Sequence, residues 1–133
     1  MLVSTNPYQQ YRTQGIMTAS PAELIIMLYD GLVKQVQMGR LALEEGRDDD
    51  AFKALDRAQD IIEELAGSLD MEYEISQQIY DIYEFCHVTL YNTILSKSPV
   101  NLRGVVDIIG SLKEAWVAIS KQNRVHLPVA AEE

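Results

Sequence analysis

Ser20-Pro21-Ala22-Glu23-Leu24-Ile25-Ile26-Met27-Leu28-Tyr29-Asp30-Gly31 is the stretch from which the fold can be read. It opens as a helix does. Ser20 is placed to accept from the backbone N–H of Glu23, and Glu23 to reach back to the N–H of Ser20. Pro21 falls at the first helical position, where a missing N–H costs nothing and a fixed φ suits the helix. Leu24 to Leu28 are then apolar without interruption, and Tyr29 extends the run. A surface helix of a small protein shows one apolar stripe. A helix that is apolar on two faces needs a second covering, either from the rest of its own chain or from a partner.

Outward from this segment the apolar residues keep a three-to-four spacing, which predicts four long helices and no strands. The first runs from Ser20 to about Glu45 with Leu24, Leu28, Leu32, Val36 and Leu43. Gly46 and the acidic run Asp48-Asp49-Asp50 close it and open the second, Ala51 to Leu69, because aspartate favours a helix start. The third spans about Tyr73 to Lys97 with a stripe of Ile75, Ile79, Ile82, Cys86, Leu90 and Ile94 or Leu95, and Ser98-Pro99 ends it. Asn101 is expected to cap the fourth, which continues to about Lys121 with Leu102, Val105, Ile109, Leu112, Trp116 and Ile119. Long helices joined by short polar turns pack as antiparallel neighbours, so an all-α, up-down four-helix bundle is expected over residues 20–123. Residues 1–19 form a polar head carrying Tyr8, Tyr11, Ile16 and Met17, too short to fold alone and expected to lie as a cap on the bundle. Residues 124–133, with Pro128, read as a flexible tail.

Composition excludes several roles. The chain has 133 residues and a formal net charge of −9, which opposes nucleic-acid binding because phosphate contacts need clustered Lys and Arg. No apolar run approaches the ~20 residues that cross a membrane, so no membrane insertion is expected. A single cysteine, Cys86, and no basic leader before an apolar core near Met1 fit a cytoplasmic protein.

Chemistry is nearly absent from the pattern. Glu84-Phe85-Cys86-His87 has the Glu-x-x-His spacing of a di-iron bundle, but such a centre needs a second copy and carboxylates from two further helices. The other histidine, His126, falls in the tail. A phosphotransfer bundle presents one exposed histidine with room for phosphate, and here Val88, Thr89, Leu90 and Tyr91 crowd the positions after His87. Cys86 on an apolar face reads as a small core hydrophobe. No catalytic set, cofactor or metal site is expected.

The apolar residues exceed what one bundle interior takes. Ile25, Ile26 and Met27 on the first helix, Tyr80, Tyr83, Phe85, Val88 and Tyr91 on the third, and Val106 and Ile108 on the fourth are surplus to the stripes above. Tyrosine and methionine are enriched where a surface meets an apolar partner. The excess points to a groove for amphipathic helices, with Ile25, Met27, Tyr29, Tyr80, Tyr83 and Tyr91 as its candidate residues. A homodimeric structural or regulatory bundle that buries the surplus against a second copy is the alternative.

Several segments together resemble the flagellar secretion chaperone family (FliS). They are Asn6-Pro7-Tyr8-Gln9-Gln10-Tyr11, the stretch from Thr18 to Gly31, Glu45-Gly46-Arg47-Asp48, Tyr80-Asp81-Ile82-Tyr83 and Lys113-Glu114-Ala115-Trp116. The resemblance covers about residues 4 to 121, and Thr18 to Gly31 is its specific part. It implies a four-helix bundle that is not an enzyme and needs no ATP. Such a protein binds the C-terminal helices of flagellin one-to-one, prevents their premature polymerisation, and hands the complex to the flagellar type III export gate. It places Tyr8 and Tyr11 with the client-binding residues, and leaves open whether a co-chaperone joins.

Overall fold

The computed structural model describes the backbone over residues 21–122 and side chains over 21–119. The head, the tail, Tyr8, Tyr11 and the Ser20 end of the capping pair lie outside the described residues. Four helices follow in chain order: α1 (Pro21–Glu44), α2 (Asp48–Gly67), α3 (Glu74–Ser96) and α4 (Leu102–Gln122), the last preceded by a 3₁₀ turn at Pro99–Asn101. They form the expected all-α bundle. α1 packs closely against both α2 and α4, α2 against α3, and α3 touches α4 only lightly; α1 and α3 stand on one diagonal, α2 and α4 on the other.

The position of α1 answers the question raised by its apolar run. Leu24, Ile25, Leu28, Tyr29, Leu32 and Val36 are buried, while Ile26 and Met27 are half-buried against the same core. With a neighbour on each flank, α1 needs a broad apolar arc, and the chain itself supplies the second covering. Gly39 allows the α1–α2 contact: a Cβ there would stand 2.6 Å from Leu55 Cδ2 and 2.7 Å from its Cγ.

The turns follow from local chemistry. After α1, Gly46 takes φ +74°, Arg47 N–H reaches Ala42 O at 2.8 Å and Gly46 N–H reaches Leu43 O at 3.2 Å. This paired closure uses a left-handed residue that glycine supplies without steric cost. Three aspartates then occupy the first turn of α2, where the helix dipole favours negative charge. α3 ends on Lys97 at φ 59°, a left-handed non-glycine cap whose N–H bonds Thr93 O, and Lys97 Nζ reaches back to Asp48 at 3.2 Å.

Three expectations are corrected. The second helix starts at Asp48, ahead of the expected Ala51, so the acidic run expected to open it forms its first turn. Asn101 is the last residue of the 3₁₀ turn that leads into α4 and not a cap standing before it; the turn begins at Pro99, whose fixed φ suits that geometry. On α3 the buried residues are Ser76, Ile79, Tyr83, Cys86, Leu90 and Thr93, leaving Ile75 and Leu95 exposed and Ile82 half-buried. The helix is rotated relative to the isoleucine stripe because Tyr83 has a partner inside.

Candidate functional site

Tyr83 turns inward to a polar junction in an otherwise apolar core. The hydroxyls of Tyr29 and Tyr83 share a hydrogen bond of 2.6 Å, and Trp116 Nε1–H donates to the Tyr29 hydroxyl at 2.5 Å. One atom, Tyr29 Oη, thus joins α1, α3 and α4. The two rings are tilted with centroids 6.5 Å apart. Burial pushes both phenols well above their usual range, since a phenolate would lose its hydration there. Burial likewise raises the Cys86 thiol to about 11. These groups are neutral structural residues at neutral pH and leave no nucleophile in the core.

With Tyr83 facing in beside Ile79, Cys86 and Leu90, other large apolar residues of α3 face out. Tyr80, Phe85, Val88, Tyr91 and Leu95 are exposed, Phe85 by 58% and Leu95 by 65%, and Ile75 joins them. Together they are six of the eleven large hydrophobic side chains exposed among the described residues. A monomer seldom leaves so much apolar surface on one element without a partner for it.

Tyr80 borders a groove between α2 and α3 with a volume of about 400 Å³, floored by Ile62, Ala66 and Tyr83 and flanked by Glu63, Glu84 and His87. Further along the same pair of helices a second depression of about 180 Å³ lies beside Phe52, Leu55 and Ile94. Between them Gln59 Nε2–H donates to His87 O at 3.4 Å, and His87 Nε2 meets Glu63 Oε2 at 3.1 Å. Asp60 sits on the α2 bank. Partial burial and the carboxylates of Asp56 and Glu63 hold its carboxyl above the ordinary range, against the opposing pull of Arg57 and His87.

The structure separates the candidate residues into two groups. Ile25 and Tyr29 are interior residues covered by the neighbours of α1, whereas Tyr83, buried and bonded to Tyr29, also contributes to the floor of the α2/α3 groove. Met27 lies half-buried at the core edge, and Tyr80 and Tyr91 are exposed on α3. Phe52, Met38 and Leu41 are exposed apolar residues outside the predicted set; Met38 and Leu41 line one depression between α1 and α2. Among the described residues no group of three or more His, Cys, Asp or Glu side chains is arranged to hold a metal ion, and no helix is long and apolar enough to cross a membrane.

Comparison with known proteins agrees with this architecture. A family model described as "Flagellar protein FliS" matches residues 4–123. The flagellar secretion chaperone FliS of Bacillus subtilis (strain 168) is 29% identical over 111 residues, covering 84% of each chain. That of Salmonella typhimurium (strain LT2) is 32% identical over 109 residues, 80% of this chain and 81% of the other. A crystal structure of a flagellar chaperone from bacteria superposes with a TM-score of 0.74 at 17% identity, covering 86% of this chain and 95% of that one, which is a likeness of fold.

Proposed function

The chain belongs to the FliS family of flagellar proteins, and from that premise we propose that it is a flagellar secretion chaperone whose client is flagellin. In this reading it binds the C-terminal helices of flagellin in the cytoplasm, keeps them from polymerising, and delivers them to the export apparatus without catalysing a reaction. The observation that carries it is the outer surface of α3, where Tyr80, Phe85, Val88, Tyr91 and Leu95 stay exposed although the core is complete without them. A client that is disordered when free must recover its ordering cost from a long apolar contact, and an exposed helix face of this kind supplies one. Tyr80 and Tyr91 are assigned to that contact; Ile25, Tyr29 and Tyr83 support the bundle from within, and Met27, on the diagonally opposite helix α1, is not part of it. The head segment, with Tyr8 and Tyr11, is assigned the role of a detachable cover.

The test is co-elution of the purified chain with monomeric flagellin. A one-to-one complex that blocks filament growth is expected, with Phe85→Asp and Tyr91→Asp each weakening it while helix content and melting stay unchanged. No complex, or a wild-type chain that buries α3 in a homodimer and ignores flagellin, refutes the reading. Deleting residues 1–15 is expected to leave flagellin binding equal or tighter and to increase self-association. Weaker binding after the deletion would make Tyr8 and Tyr11 direct contacts instead.

A further inference from the structure

On the reading that flagellin is the client, we propose that the α2/α3 groove receives an amphipathic helix of the client carrying a lysine or arginine that seats beside Tyr80, between Glu63 and Glu84. Two observations select this occupant. The first is shape. The depressions at Tyr80 and at Phe52 lie along one pair of helices, spanned by α2 from Phe52 to Gly67, about 22 Å at 1.5 Å per residue, or roughly four helical turns. Apolar contacts stand at both ends of that length: Tyr80 is 39% exposed at one and Phe52 54% at the other. A Cβ added at Gly67 would meet nothing of this chain within 4 Å, which leaves the Tyr80 end open to an approaching backbone.

The second observation is charge. At the Tyr80 end Glu63 and Glu84 flank an apolar floor, and Asp60 and Asp56 continue the acidic bank. Among the described residues Glu84 takes part in no ion pair, Glu63 meets only the imidazole of His87, and Lys97 at the far end is already paired with Asp48. Arg57, also on α2, pulls the Asp60 carboxyl down, but the raising influences win. An occupant with acidic flanks would add to this unbalanced charge. A cationic side chain instead lays its methylene stem on Ala66 and the Tyr80 ring and places its charge between the two glutamates, gaining from the ring face as well. Apolar contacts along the groove give the affinity, and the cation sets which segment lies there and in which direction.

The test measures affinity of the full-length chain for monomeric flagellin, at low and high salt, for wild type, Glu63→Gln/Glu84→Gln, and a control with the same change in net charge on α4, Asp107→Asn/Glu114→Gln. All four side chains are exposed, and Gln at position 63 can still bond His87. The groove variant is expected to bind roughly three- to tenfold more weakly at low salt, with the gap closing at high salt and the control unaffected. Replacing the client's C-terminal lysines and arginines with alanine one at a time should then reveal one position whose loss matters to the wild type and not to the groove variant. Equal affinity of wild type and groove variant, an equal loss in the α4 control, or no client position coupled to Glu63 and Glu84 overturns the inference while leaving the flagellin reading standing. A wild-type chain with no affinity for flagellin at either salt removes both.

Discussion

Tyr29 carries more of the interior's polar bonding than its single hydroxyl suggests. Trp116 Nε1 is a donor only, so Tyr29 Oη must accept from it, and the remaining bond links the two phenols. Tyr29→Phe therefore removes both bonds and strands a buried indole N–H together with the Tyr83 hydroxyl. A loss of roughly 2–4 kcal/mol is expected from urea denaturation, against about 1 kcal/mol for Tyr83→Phe. A Tyr83→Phe loss equal to or larger than that of Tyr29→Phe would show that the junction is not centred on Tyr29. The same residues set the alkaline limit. Cys86, Tyr29 and Tyr83 bind their protons more tightly folded than unfolded, so their contribution is complete below the unfolded pKa values and declines above them. Stability should hold to about pH 9, fall first as the unfolded thiol ionises and then, above about pH 10, as the unfolded phenols do, at up to about 1.4 kcal/mol per pH unit for each proton. Denaturation midpoints measured across that range check it, and removing either phenol should flatten the decline. The sequence makes the burial of Cys86 and Trp116 legible through spacing. It hides the choice between Ile82 and Tyr83, because both neighbours are apolar and only the hydroxyl partner on α1, distant in sequence, fixes the rotation of α3.

Helix α1 and helix α4 use glycine in opposite ways. Gly39 is where α1 meets Leu55 of α2, and the clash of an added methyl group with Leu55 Cγ cannot be relieved by the tip of a flexible side chain alone. Gly39→Ala should lower stability by roughly 1–3 kcal/mol even though alanine is the better helix former. At Gly104 and Gly110 of α4 a Cβ meets nothing within 4 Å, so alanine there should add up to about 1 kcal/mol. Thermal melting of the three variants decides between these signs, and a stabilised Gly39→Ala would mean the α1–α2 contact is looser than described. Element existence was legible from periodicity throughout, and the ends of α1 and α3 from Gly46 and Pro99. The start of α2 was misplaced because aspartate favours both the position before a helix and its first turn. The groove was legible only as an excess of apolar residues. Which of them face out depends on how far each helix turns about its axis, and on helices apolar nearly all round, spacing does not determine that.

Across the whole molecule the packing is uneven, and the exposed surface follows it. α1 is closed in by two neighbours, whereas α3 rests mainly on α2 and only lightly on α4. Amide hydrogen exchange should therefore be slowest in α1 and α2 and fastest, among the helices, in α3, with α3 gaining protection when client is bound. Equal protection of α1 and α3 in the free protein would contradict this. The net charge of −9 keeps such a chain dispersed while its outer α3 surface is uncovered. The two-sided burial of α1 also has a meaning in time. During synthesis α1 and α2 emerge together and can pair at once, but the other flank of α1 is covered only by α4. Between the end of α2 and the end of α4 the ribosome must add residues 68–122, which takes about 3–11 s at 5–20 residues per second. For that interval Tyr29 lacks Trp116 and the α4 flank of α1 has no cover, so the newborn chain itself exposes the kind of apolar surface that nascent-chain chaperones shield.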